Sequence, residues 1–254
     1  MTADTAQSLF VLRNLIAKDF KVRYRNMSLG IFWSLVNPLV MMSVLTFVFT
    51  VIIPNEQEYF PLFVLMGLLP FNFFTLAWSM GTNSVIDNTA LVKKVPFQRA
   101  LLPISVVLAN SLHYFIQLGL LLVACGLVIG ISLNWLWLPV IVLLQLVFVC
   151  GMALGFSALD VYFRDMRYVV ESTNLVLFWI VPIFYSFDRV SQKYAWLYEL
   201  NPIAAVILLT RTVLLAGEPP NVGTLAKLSV VSILTLIAGA AIFQRIERNF
   251  SDYL

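Results

Sequence analysis

The feature that most constrains this chain is a succession of apolar runs, each long enough to cross a bilayer, divided by short polar stretches. A span needs about 20 apolar residues. Runs of that kind are expected at residues 29–53, 60–80, 100–131, 135–159 and 225–243. A sixth, at 173–186, reaches span length only if Val169 and Val170 join it. Inside hydrocarbon each backbone polar group must be bonded within its own segment, so these runs read as helices. Composition agrees: 61% of residues are hydrophobic, 11% are charged, and the mean hydropathy is +0.91. A soluble domain carries about 25% charged residues. The expected class is therefore an all-α integral membrane protein, with residues 1–254 forming one domain of about six spans.

Breaks in the runs set the expected boundaries. Asn37-Pro38 is expected to kink the first span, and Gly67 and Pro70 to break the second. Residues 81–99 read as a polar loop and 132–134 as a tight turn. Residues 160–172 are charged, with Asp160 expected at a wet span end. Residues 203–215 are apolar but number about 13, too few to cross. They follow Tyr194-Ala-Trp196-Leu-Tyr198, a composition suited to the membrane interface. Residues 187–224 are accordingly expected to dip into the outer leaflet and return, with Trp196, Tyr198, Asn201 and Pro202 at an outer gate.

The cations give the orientation. Arg13, Lys18, Lys21, Arg23, Arg25, Lys93, Lys94, Arg99, Arg164, Arg167, Arg245 and Arg248 fall on one side of the expected membrane. Only Arg189, Lys193, Arg211 and Lys227 fall on the other. The cation-rich side is cytoplasmic, so both termini are expected inside. Residues 1–28 read as an interfacial helix running into the first span. Leu9, Leu12, Ile16 and Phe20 share one face, and Asn14, Lys18, Lys21 and Arg25 the opposite one. The alternative is a cytosolic helix packed on a partner. The polar start of the chain does not resemble a cleavable signal peptide.

Little here suits catalysis. Cys125 and Cys150 lie in apolar runs, His113 is the only histidine, and no metal-ligand spacing occurs. Asn110, His113 and Gln117 share a helix face. They read as a polar packing seam, with a proton relay as the alternative, although no mid-span carboxylate stands beside them. No G-x-x-x-x-G-K-[ST] loop is present to cradle a nucleotide phosphate. No feature points to nucleic acid.

Several motifs, in order, carry a resemblance. Arg23-Tyr24-Arg25 leads to Leu29-Gly30, Trp33 and Pro38. Gly67-Leu-Leu-Pro70-Phe71-Asn72-Phe73-Phe74 lies in span two. Asn88-Thr-Ala-Leu91-Val92-Lys93-Lys94-Val-Pro96 lies in the first inner loop, and Leu102-Pro103 follows it. Asp160-Val-Tyr-Phe163-Arg164-Asp165 follows span four, and Asn201-Pro202 precedes the short outer run. Together they resemble the permease subunits of ABC exporters for lipid-linked polysaccharides, the O-antigen and teichoic-acid type, over nearly the whole chain.

The resemblance implies a permease homodimer in the bacterial cytoplasmic (inner) membrane. Two separate subunits would hold ATP and Mg, and an undecaprenyl-linked glycan would leave between the permeases. It implies that Asn88, Leu91, Val92, Lys93, Lys94 and Pro96 contact the ATPase. Phe163, Arg164 and Asp165 then stand at an inner gate, where Arg164 suits a pyrophosphate. Arg23 and Arg25 suit either that pyrophosphate or anionic lipid. The path is implied to run along the first span and the 173–186 run. Phe32, Trp33, Phe47, Phe178, Trp179, Phe184 and Tyr185 are candidate linings there for a sliding polymer, with lipid-facing packing as the alternative. Competing readings are a drug or small-lipid ABC exporter, a secondary transporter, and a membrane-embedded transferase.

Overall fold

The computed structural model describes residues 3–23, 30–52, 57–95, 97–187, 198 and 201–250. The described elements are helical. They are α1 (Ala3–Arg23), α2 (Trp33–Phe47), α3 (Phe60–Asp87), α4 (Thr89–Lys94), α5 (Leu101–Val128), α6 (Leu138–Tyr162), α7 (Met166–Ile180), α8 (Pro202–Leu214) and α9 (Val222–Ile246). A short 3-10 turn at Gly30–Phe32 leads into α2, and a π-helical segment at Val48–Ile52 extends it. Five stretches are long and apolar enough to cross a membrane: Leu35–Ile52, Phe60–Asp87, Leu101–Val128, Leu133–Tyr162 and Val222–Ile246.

The second span is not broken. α3 runs through Gly67 and Pro70 for 28 residues and ends at Asp87, so the expected polar loop begins within a helix. Two polar side chains there find local acceptors: Thr82 donates to the Trp78 carbonyl and Ser84 to the Gly81 carbonyl. At Pro70 the Gln145 amide from α6 donates to the proline carbonyl at 2.7 Å. A neighbouring helix thus bonds the α3 backbone at the proline itself. Pro38 likewise sits inside α2.

The sixth expected span is shorter than a crossing. Val169 and Val170 do join α7, but the helix has 15 residues, about 22 Å. It stops at Ile180 because Pro182 forces Val181 into extended backbone (φ −70°, ψ 137°). The N-terminal helix forms, yet its apolar residues occupy more than one side. Val11 and Leu15 pack into the protein, while Leu9 and Phe10 stay exposed. A simple two-faced surface helix does not describe it.

Packing radiates from α3, which touches α2, α5, α6, α7 and α8. α6 lies between α3 and α9. Its Gly151 and Gly155, four apart, meet Gly239 of α9 so closely that a Cβ on Gly239 would stand 2.0 Å from the Gly151 carbonyl oxygen. On another side of α6, a Cβ on Gly81 would stand 2.6 Å from that of Ala153. Without a hydrophobic force between helices in lipid, this close approach of small residues supplies the contact.

The end of the bundle that carries α8 is held by Arg211, 7% exposed. Its guanidinium donates to three carbonyls: Phe63 in α3 (3.1 and 3.3 Å), Pro182 (2.7 Å) and Ile183 (2.6 Å). It also stands 3.4 Å from the centroid of the Phe63 ring. Gly67 makes room for it, because a Cβ there would meet the Ile183 backbone at 3.0 Å and the guanidinium at 3.1 Å.

Arg211→Met should leave the Pro182 and Ile183 carbonyls unserved, at about 1–3 kcal/mol for each buried orphan. Arg211→Lys, lacking the planar fork, should recover little of this. Thermal unfolding in detergent should show both variants well below the parent; parental midpoints would refute the clamp. Gly239→Leu should separate α6 from α9 and lower the same midpoint, whereas Leu234→Ala on the exposed side of α9 should not.

Candidate functional site

The inner surface is assembled from three separate parts of the sequence. α3 ends at Asp87, and Asn88 makes the corner into α4. The Asn88 amide donates to the Ser84 carbonyl at 2.8 Å, and its oxygen accepts from the Lys18 ammonium of α1, also at 2.8 Å. Lys18, expected among lipid headgroups, is therefore bound within the chain. On α4, Val92 is buried with Leu15, Val85 and Leu102, and Leu91 is half-buried against the same cluster. Lys93 and Lys94 are exposed. Pro96 lies outside the described residues.

Arg99 then ties this corner to the end of α9. It donates to the Glu247 carbonyl at 2.7 Å and lies 5.8 Å from the ring centroid of the fully buried Phe250. Partial burial raises the Glu247 carboxyl above its ordinary pKa, against the pull of Arg99 and Arg248.

Phe163, Arg164 and Asp165 form the turn between α6 and α7, and all three are exposed. The Asp165 carbonyl accepts from the Tyr168 and Val169 amides and starts α7. Asp160, one turn earlier, is fully buried rather than wet. Its electrostatic neighbours are Arg167, Asp87 and Arg164. The sequence places it at a span end, but α6 continues to Tyr162 and closes over it. Arg23 is the last residue of α1; its side chain and all of Arg25 lie outside the described residues.

The candidate aromatics divide into two groups. Phe178, Trp179, Phe184 and Tyr185 form one cluster around the break after α7. Their ring centroids lie 5.3–6.0 Å apart where they touch. Phe49 of the first span joins it, 5.0 Å from Phe184. The Tyr185 hydroxyl donates to the Ile180 carbonyl that the break frees, and lies 3.1 Å from the Tyr198 hydroxyl. Phe32, Trp33 and Phe47 instead stand on the exposed surface of α2 and its leading turn. Asn201 caps α8, its oxygen accepting from the Ile203 and Ala204 amides, and Pro202 is the first helical residue. Trp196 lies outside the described residues.

Asn110 is buried and donates to the Val106 carbonyl, and His113 stacks on Phe20 of α1 with centroids 5.1 Å apart. The seam on α5 therefore packs. Among the described residues no three His, Cys, Asp or Glu side chains gather as a metal site would need.

Reading the sequence alone misses Arg211, Gln145 and the buried state of Asp160. For Arg211 a signal was there: a lone cation inside an apolar stretch seeks backbone carbonyls or a partner charge. Gly151-x-x-x-Gly155 likewise announces a close helix contact.

Residues 11–215 match the family model described as ABC-2 type transporter. The chain is 31% identical to an O-antigen export system permease protein RfbA of Klebsiella pneumoniae, covering 93% of this chain and 92% of that one. It is 30% identical to the protein of that name from Myxococcus xanthus, covering 95% and 94%. It is 26% identical to the polysialic acid transport protein KpsM of Escherichia coli, covering 92% of each. With the match spanning most of the helical domain, the chain belongs to the ABC-2 type transporter family.

Proposed function

We propose that this chain is the membrane-spanning half of an exporter that moves a lipid-linked polysaccharide of the O-antigen type outward. The observation that carries this is end-to-end similarity to O-antigen export permeases, at 30–31% identity over more than nine-tenths of both chains. ATP and Mg belong to a separate subunit, two copies of which serve a permease homodimer in the bacterial cytoplasmic membrane, with both termini inside.

The helices that lack cover support the homodimer. On α2 and its π extension, Val40, Val44, Phe47 and Val51 are exposed and make one stripe at helical spacing. On α7, Leu175, Val176 and Trp179 are exposed. A second copy and the passage between copies would take up these faces. Exposed Phe32, Trp33, Phe47 and Trp179 would offer weak, repeated stacking to a moving glycan. The buried cluster around Phe184 serves to shape the outer end.

At 13 residues, about 20 Å, α8 is too short to cross, and ten of its residues are buried. Such a helix at membrane depth needs protein cover, which supports a re-entrant outer gate built with Tyr198, Asn201 and Pro202. At the inner end, α4 offers Lys93 and Lys94 to the ATPase while Val92 anchors it from within. Phe163, Arg164 and Asp165 stand free at the mouth, where Arg164 can meet a lipid pyrophosphate.

Lys93→Glu with Lys94→Glu should leave the permease folded but abolish its stimulation of ATP hydrolysis in the purified complex. Hydrolysis at the parental rate would remove α4 from the coupling role. Arg164→Ala should reduce surface polysaccharide by about tenfold at unchanged protein level, in line with loss of a charge-assisted contact. Full surface display would remove Arg164 from the mouth. Export itself is tested by deletion: lipid-linked glycan should accumulate inside and vanish from the surface.

A further inference from the structure

A groove runs between α1 and α5 on the side of α1 that faces away from the inner core. Leu9, Leu12, Ile16 and Phe20 form its floor and Leu112 of α5 its wall; its volume is about 430 Å³. Arg13 and Lys21, both exposed, line it as well. Side chains of this kind lay their apolar stems along such a surface and keep the charged heads in water. From Leu9 to Lys21 the groove follows about 18 Å of helix axis, with the two cations about 12 Å apart.

α1 uses its other sides within the chain. Val11 and Leu15 enter the inner core, and Lys18 bonds Asn88. Phe20, at the end of the floor, is fixed by stacking on His113. The groove is therefore a held shape on a braced helix. Its wall is also informative: Leu112 lies about 16 Å along α5 from Leu101, within a helix of membrane-spanning length, and is 40% exposed. An apolar trough that meets a span, with cations at its edge, is complementary to a lipid carrying a negative headgroup.

We infer that this groove is a binding site for an anionic phospholipid, with an acyl chain on the Leu9–Phe20 floor and the phosphate held by Arg13 or Lys21. The site has a consequence that rests on the proposed coupling role of α4. Lys18 projects from the same helix to Asn88, the corner from which α4 starts, so lipid bound on one side of α1 steadies the ATPase-facing corner on the other.

The test uses the whole permease–ATPase complex in phosphatidylcholine nanodiscs and a phosphatidylglycerol bearing a diazirine on its acyl chain. Photolabel should map to the peptides containing Leu9–Lys21 and Leu112. Phosphatidylglycerol should displace it at concentrations about thirtyfold lower than phosphatidylcholine does, as two cations near a surface phosphate imply. Arg13→Gln with Lys21→Gln should abolish that preference, and Arg13→Lys with Lys21→Arg should keep it. Leu112→Trp fills the trough without touching either cation and should block labelling, which decides the matter if the glutamine pair fails to assemble. Equal displacement by phosphatidylcholine would reduce the groove to bulk lipid contact and overturn the proposal. So would label elsewhere, or displacement by a polyprenyl pyrophosphate more readily than by phosphatidylglycerol, which would give the groove to the exported lipid. Intact labelling with ATP hydrolysis indifferent to phosphatidylglycerol would sink only the link through Lys18.

Discussion

A buried guanidinium bonded to three backbone carbonyls organises the part of this protein around α8. A bare cation at such a place is costly, and Arg211 is tolerated because three backbone carbonyls converge on it. Two of those carbonyls are available only because Pro182 ends α7 early, leaving Pro182 and Ile183 with no helical donors. The third lies on α3, and the approach needs the missing side chain of Gly67. Break, glycine and arginine are thus one device. It joins α3, the end of α7 and α8 into a unit, so the proposed outer gate is fixed to the most buried helix.

The inner end is built on a different principle. A chain of modest contacts holds it together. Lys18 to Asn88, Val92 in the inner cluster, Arg99 to Glu247 and the Phe250 ring tie the first helix, the α3–α4 corner and the end of α9 together. Exposed hydrogen bonds of this kind contribute little individually. Such an end is held less tightly than the glycine-packed α6–α9 pair or the arginine clamp, which suits the proposed coupling role of α4.

Between these ends stand helices of unequal burial. α3 is shielded almost completely, while α2 and α7 show apolar, aromatic-rich faces to the outside. In a bilayer such faces carry no penalty, which suits the proposed second copy and the passage between copies. The cluster of Phe49, Phe178, Phe184 and Tyr185 sits where those two helices meet.

The sequence by itself determined the class and the approximate places of the five long apolar helices. These follow from hydropathy and helical spacing, which are local properties that lipid reads directly. The order of its motifs carried the family resemblance, and the length of residues 203–215 marked them as too short to cross. Tertiary structure decided the rest. Gln145 of α6 reached the Pro70 carbonyl, 75 residues away. Lys18 met Asn88, 70 residues away, rather than lipid. Arg211, which sequence could only count as an outer cation, became the clamp. In each case the outcome turned on which distant backbone or side chain came within hydrogen-bonding reach, and spacing along one helix carries no information about that.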